Sequence, residues 1–389
     1  MTGVLDWLVV GGGIHGTHLS HVLVHAAGVP ADRVRVLDRE PVPLAAFWRC
    51  VEACGMTSLR SPGVHHLDLH PYSLLQFART EGRRVAGFVP PYDRPKLPLF
   101  RAHCDYVIER HGLHALRAIA DTYRIVAQPW GYRVETSAGH LDTKRVVLAL
   151  GAGGELALPR WAEGTQASWH IFHADFTRPP ARAHARVAII GGGITAAQLA
   201  LSLARDGARP TVVARHPIRE HRFDSDPGWL GPLEMERFAR GTPATRRALI
   251  GNARHRGSLT PELRRAVARA ERDKKLAWLH AEVAGVAHTG GEIVLTLGGP
   301  PDTLVVDHLA FATGFERARP GGRLVAELVE TLGLPCAACG YPLLGESLAW
   351  RPGLYVSGAL AELELGPTAR NIAGARAAGE RLLRVARQP

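Results

Sequence analysis

Two short glycine turns constrain this chain more than any other feature. The first is Gly11-Gly12-Gly13-Ile14-His15-Gly16, and the second is Gly191-Gly192-Gly193-Ile194-Thr195-Ala196. Each follows a short apolar run, Trp7–Val10 or Arg186–Ile190, and each opens a stretch with helical spacing of apolar residues. A strand that turns sharply on glycine into a helix leaves unpaired N–H groups at the helix start, and those groups attract phosphate. In each turn the first glycine permits the tight bend. The second lets a pyrophosphate approach the backbone, and the third position (Gly16 or Ala196) must be small for helix and strand to pack.

The surroundings repeat as well. After the first turn and helix, Val34–Leu37 reads as a second strand ending on Asp38. Residues 124–150 then read as three strands turning near Gly131 and Gly139 and ending at Gly151. After the second turn, Thr211–Ala214 ends on Arg215. Residues 282–313 turn at Gly290-Gly291 and Gly298-Gly299-Pro300 and end in Ala310-Phe311-Ala312-Thr313-Gly314. This duplication predicts an α/β fold with two Rossmann-like units, each a three-layer ββα arrangement of parallel sheet, β-meander and helices. No third glycine motif follows Gly314, but a strand at Leu354–Val356, then Gly358, then Gly366-Pro367 opening a terminal helix, would complete the first unit. The second unit (179–304) is therefore expected to be inserted into the first (1–178 and 305–389), with a loop-rich segment over 47–98. Thr260-Pro261-Glu262 reads as a capped helix start.

The ends of the two second strands differ in charge. Asp38 can accept hydrogen bonds from a ribose hydroxyl, with Arg39 beside it. Arg215 is suited to a 2′-phosphate, helped by His216 or Arg219, so the second site is expected to prefer NADPH over NADH. The candidate cofactor-binding residues of the first unit are Gly11, Gly13, Ile14, His15, Gly16, Asp38, Arg39, Trp48, Gly151, Gly358, Gly366 and Pro367. Those around the second turn are Gly191, Gly193, Ile194, Thr195, Ala196, Arg215, Thr313 and Gly314. A helix starting at Gly366-Pro367 would aim its positive end at a flavin carbonyl.

In combination these motifs make the chain resemble the flavoproteins with two dinucleotide-binding domains, and within them the flavin-dependent monooxygenases of the ornithine/lysine N-hydroxylase type. The resemblance rests on GGGIHG at 11–16, Trp48, His173-Ala174-Asp175-Phe176, GGGITAAQ at 191–198 and ATGF at 312–315. It implies FAD in the first unit and NADPH in the second. It also implies a cycle in which NADPH reduces FAD, O2 is consumed, and a small nucleophilic amine or sulfur substrate takes an oxygen atom. The cofactors carry that chemistry, and no side chain is assigned as catalytic.

Two alternatives stand beside this reading. An NADPH-dependent disulfide or thiol reductase would need a cysteine pair at the flavin, and the chain offers Cys50/Cys54 and Cys336/Cys339. A non-catalytic flavin-binding redox sensor would have no evident use for the second turn. No metal site is expected, because the spacing of His65, His66, His70, His170 and His173 supports none. The chain has 389 residues and a net charge of +11, carried almost wholly by scattered arginines. That pattern suits anionic small molecules better than nucleic acid. No apolar run reaches the roughly 18 residues of a membrane span. No membrane association and a cytoplasmic location are expected, and self-association into a homo-oligomer is left open.

Overall fold

The computed structural model describes residues 3–151, 155–163, 165–179 and 184–388. Its larger sheet has the strand order Ala349–Arg351, Leu354–Val356, Gly139–Leu148, Leu5–Val10, Val34–Asp38, Arg117–Ile119. All neighbours run parallel except the first pair. Strand Gly139–Leu148 is ten residues long, and its first half forms a meander with Thr122–Gln128 and Gly131–Thr136. The smaller sheet has the order Ala277–His280, Arg209–Ala214, Arg186–Ile190, His308–Phe311, all parallel. A separate antiparallel meander, Val283–Thr289, Glu292–Leu297 and Thr303–Val306, packs its Ile293, Leu295 and Leu297 against this sheet.

Leu8, Val9, Val34, Val146, Val147 and Leu354 are essentially inaccessible, as are Val187, Ala188, Ile189 and Val212 in the smaller sheet. Near-continuous burial along a strand is what a parallel sheet covered on both faces requires. The two units repeat down to single hydrogen bonds. Gly11 N–H donates to the Leu37 carbonyl at 2.8 Å, and Gly191 N–H to Val213 at 3.0 Å. Ala149 N–H donates to Val10, and Ala312 N–H to Ile190, both at 2.8 Å. Both turns thus leave the carboxyl ends of their sheets, where open α/β sheets bind ligands.

The strand Leu354–Val356 joins the larger sheet beside Gly139–Leu148, so the smaller sheet lies within the sequence of the larger one. The smaller sheet ends at Phe311, past the expected boundary at 304. The reason is pairing: the run His308–Phe311 lies parallel to Val187–Ile190 and so closes the second unit. The terminal helix is also displaced from expectation. Gly366 ends the short helix Glu362–Leu365 with φ +75°, Pro367 is buried behind it, and the long helix Ile372–Ala386 begins only after Asn371. The positive φ of Gly366 breaks the helical path, so a Gly-Pro pair here closes one helix rather than opening the next. Thr260 does cap Pro261–Arg272, its hydroxyl accepting from Leu263 N–H at 3.4 Å.

Histidines are packed unusually deeply. Burial lowers the pKa of His15, His65, His103 and His170 to about 4, and of His18 and His66 to about 3. An unfolded histidine titrates near 6.5, so below that pH the unfolded chain binds protons that the folded chain refuses. The stability these groups contribute is complete above pH 6.5 and is lost as the pH falls toward 4. We expect the melting temperature to be flat from pH 7 to 8 and to fall steeply between pH 6.5 and 4.5. A flat melting profile across that lower window would contradict this account.

Candidate cofactor and substrate cleft

A cleft of about 1460 Å³ lies between the two sheets' carboxyl ends. Ile14 and His15 from the first turn border it, as do Gly191, Gly192, Gly193, Ile194 and Thr195 from the second. Arg215, Thr313, Gly314, Phe315 and the start of the terminal helix (Asn371, Ile372, Ala373) complete its rim. Three helices, Ile14–His21, Ile194–Arg205 and Ile372–Ala386, start at this cleft without a side-chain cap, on Gly13, Gly193 and Asn371. Their free N–H groups and positive dipole ends converge on one space.

The turn geometry explains the glycines. Gly11 (φ +109°) lies against the Ala149 carbonyl and Gly191 (φ +132°) against the Ala312 carbonyl, so a side chain at either would overlap backbone. A Cβ on Gly16 would drive into the Gly11 carbonyl, whereas one on Gly13 would meet nothing within 4 Å. A Cβ on Gly193 would meet only the Gly257 backbone, from 3.4 Å. The middle positions therefore open onto a cradle, and the outer ones pack the turn.

His15 is a positioning residue of the first turn. Its Nδ1 lies 2.8 Å from Ser357 Oγ and its Nε2 3.1 Å from the Asn371 carbonyl, while Gly358 packs below the ring. Burial keeps His15 neutral at pH 7. Asp38 is engaged at the other side of the turn: it accepts N–H groups from Gly12 and, at 2.8 Å, from Glu40. Arg117 lies over Gly12 beside Asp38 and donates to the Glu40 carbonyl. Sequence reasoning missed Arg117 because only the pairing of Val34–Asp38 with Arg117–Ile119 brings it there.

The other candidate residues are placed as follows. Gly11, Gly13 and Gly16 of the first turn, and Asp38 at the end of its strand, do not line the cleft, and Arg39 and Gly151 are exposed. Trp48 is buried against Phe47 and Phe100, with Arg101 over its ring at 5.0 Å, and faces away from the cleft. The cleft is touched by its neighbours Phe47, Cys50, Val51 and Cys54 instead. Ala196 is fully buried beneath the second turn, and Gly358, Gly366 and Pro367 are buried behind the terminal segment. Thr313 donates to the Ala157 carbonyl, and Gly314 accepts from Ala157 N–H at 3.0 Å, holding Ala157 and Leu158 on the rim.

The wall is cationic. Eight arginines line it, among them Arg60, Arg160, Arg215 and Arg219, against the four acids Asp224, Asp226, Glu282 and Glu316. Among the described residues Arg215, Arg219, Arg256 and Arg317 have no ion-pair partner. Burial and the neighbouring guanidiniums of Arg254, Arg370 and Arg317 lower the Arg256 pKa, which marks a region of concentrated positive potential. Arg370 is fixed by the buried Glu362 at 2.7 Å and by Tyr341 Oη at 2.9 Å, and Arg247 pairs with Glu362 from the opposite side. Apart from Arg215 and Arg219, and Arg370 within the Gly366–Asn371 run, these arginines carry no local motif and were not legible. Near the turns the wall is apolar: Val51, Met56 and Leu59 lie there, and Phe172 stacks on Phe315 at 5.0 Å.

Cys50 and Cys54 lie on the cleft wall. All five are free. Cys54 is buried, donates toward the Val51 carbonyl and Gln198 Oε1, and burial pushes its thiol up to about 11. Burial raises Cys50 as well. Cys336 and Cys339 lie outside the cleft.

Residues 112–257 match the pyridine nucleotide-disulphide oxidoreductase family. No curated protein sequence matches the chain. The fold is that of known flavoenzyme structures. The ornithine hydroxylase PvdA from Pseudomonas aeruginosa is similar over 99% of both chains, with 18% identity and a TM-score of 0.77. The ornithine N-hydroxylase KtzI from Kutzneria sp. 744, solved with reduced FAD, NADP+ and L-ornithine, is similar over 99% of both chains, with 17% identity and a TM-score of 0.80. The bacillithiol disulfide reductase from Bacillus cereus shares the fold over 99% of both chains at 14% identity, with a TM-score of 0.64. The resemblance to the N-hydroxylating flavin monooxygenases thus extends over the whole fold. No helix among the described residues is long and apolar enough to cross a membrane.

The packing of the first turn can be tested directly. Gly16→Ala should destabilise the protein by about 1–3 kcal/mol through overpacking. Gly13→Ala, whose Cβ meets open space, should change stability by less than about 1 kcal/mol. Urea denaturation of both variants checks the difference in sign and size.

Proposed function

We propose that the protein is an FAD- and NADPH-dependent monooxygenase that oxygenates a small nucleophilic amine or sulfur compound. One observation carries the reading: a single cleft is bordered by both glycine turns and by the start of the terminal helix. In this reading residues 1–178 and the chain after Gly314 hold FAD, and the inserted unit from 179 to Phe311 holds NADPH.

The fit of each cofactor rests on the chain's own groups. The cradle at Gly13 and the uncapped helix Ile14–His21 suit the FAD pyrophosphate, and Asp38, beside Arg117, retains acceptor capacity for a ribose hydroxyl. The cradle at Gly193 suits the NADPH pyrophosphate, with Arg215 and Arg219 free to pair with its 2′-phosphate. When bound, FAD and NADPH supply hydride transfer and activation of O2. His15, held neutral between Ser357 and Asn371, fixes the terminal helix against the first turn. The dipole at Asn371 then favours negative charge on whatever lies before it. Val51, Met56, Leu59, Phe172 and Phe315 exclude water from the same region. The raised thiols of Cys50 and Cys54 are poor nucleophiles at neutral pH and weigh against the reductase alternative.

The test combines FAD-loaded protein, NADPH, an oxygen electrode and mass spectrometry, with L-ornithine, L-lysine and related amines as probes. Amine-dependent O2 uptake with an N-hydroxylated product is expected. NADPH-driven thiol production that disappears in Cys50→Ser or Cys54→Ser would replace the proposal with a disulfide reductase. Failure to retain FAD would overturn both readings. Arg215→Glu should raise KM for NADPH on the order of tenfold to a hundredfold, the loss of one charge-assisted contact, while KM for NADH changes little. An equal rise for both would remove the phosphate assignment.

A further inference from the structure

A group of three histidines lies outside the cleft, on the far side of the first helix. The helix Ile14–His21 continues into the wider turn Val22–Ala26, so His21 and His25 fall on one face. His111 caps the C-terminus of the helix Leu97–Arg110. The ring centroids are 5.0 Å apart for His21–His25, 4.3 Å for His21–His111 and 4.8 Å for His25–His111. One ring nitrogen from each lies within 4.8 Å of the others.

Two of the rings are already oriented by a hydrogen bond at Nε2. His21 Nε2 lies 3.3 Å from Asp68 Oδ1, and that carboxylate is in turn held by Leu69 N–H at 2.6 Å and Ser73 Oγ at 2.5 Å. His25 Nε2 donates to the His111 carbonyl at 3.0 Å. Each contact favours the proton on Nε2 and leaves the Nδ1 lone pair available. His21 is 1% exposed, and its Nδ1 takes no hydrogen bond from any described residue. Imidazole ligands of metals are oriented in this way, with one ring N–H on a carboxylate or carbonyl and the opposite nitrogen on the ion.

We propose that His21, His25 and His111 bind one divalent late-transition ion of the zinc class. Three neutral imidazoles select Zn²⁺, Co²⁺, Ni²⁺ or Cu²⁺ over Mg²⁺ and Ca²⁺, which prefer oxygen donors. A pocket of about 330 Å³ is bordered by His25 and His111, with Asp32 and Arg35, and opens these two rings to solvent; water would supply the fourth ligand. The ion would cross-link the helix that leaves the first glycine turn to the C-terminal end of Leu97–Arg110. It makes no contact with the cleft, so the proposal stands independently of the cofactor chemistry.

The test uses full-length, untagged protein freed of metal by a chelator, titrated with Co²⁺ and Zn²⁺. One Co²⁺ per chain is expected, with visible bands of tetrahedral character that Zn²⁺ bleaches, and Zn²⁺ should raise the melting temperature. His25→Ala and His111→Ala replace exposed or half-exposed rings. They should fold with an unchanged circular dichroism spectrum, bind Zn²⁺ at least tenfold more weakly and lose the thermal shift. His114→Ala, nearby but outside the group, should bind as the parent does. The proposal is overturned if binding is absent or non-saturable, if folded His25→Ala and His111→Ala bind as tightly as the parent, or if His114→Ala weakens binding equally.

Discussion

The structure depends on a close approach made twice: a glycine carrying positive φ pressed against the carbonyl that ends a neighbouring parallel strand. Gly11 meets Ala149 and Gly191 meets Ala312 in this way. Each contact places the start of a helix directly over the carboxyl end of its sheet and leaves its N–H groups facing outward. No other residue type fits there without moving a backbone, because an L side chain is strained at these φ values and the space is taken. The cradle, its direction and the position of the cleft follow from that packing.

The two units are joined by a mixed seam. Cys54 packs with Ala196, Ala197 and Leu199 beneath the second helix, and Gly55 lies against Ser202. Around this apolar patch Arg60 donates to the His221 carbonyl at 2.6 Å and to Ser258 Oγ at 2.9 Å, Arg94 pairs with Glu262 at 3.1 Å, and Arg178 pairs with Asp206 at 2.6 Å. Farther along, Arg247 and Arg370 share Glu362. Burial alone would raise that carboxyl, but the two guanidiniums hold it below the usual range. Such a shared carboxylate fixes geometry more than it adds stability, since desolvation offsets much of the attraction. Here it fixes the cationic rim relative to the terminal helix.

Much of this was legible in the sequence, because the strand–turn–helix units announce themselves locally. The apolar runs, the glycines and the charge at Asp38 and Arg215 all lie within a few tens of residues of one another. The boundary expected at 304 differs from the end of the smaller sheet because His308–Phe311, beyond the meander strand Thr303–Val306, pairs with a strand more than a hundred residues earlier. The start of the terminal helix was misjudged because Gly-Pro serves helix ends and helix starts alike. Arg117 over Gly12, Trp48 turned into the core against Phe100, and the placing of Arg256 and Arg317 on the cleft wall depend on contacts between distant segments. The group of His21, His25 and His111 went unread, because His111 joins the other two only through the fold.

The link between His15 and the residues Ser357 and Asn371 has a consequence for how the chain is made. The inserted sheet has all its strands once Phe311 has been synthesised, so it can close while the rest of the chain is still emerging. The outer sheet must wait for Leu354–Val356, and the first glycine turn for the segment after Ser357. Contacts of such sequence separation form slowly, because a long loop must be closed before they repay its entropy. The first glycine turn to be synthesised is thus the last whose contacts can be completed, around an inner unit free to fold before it.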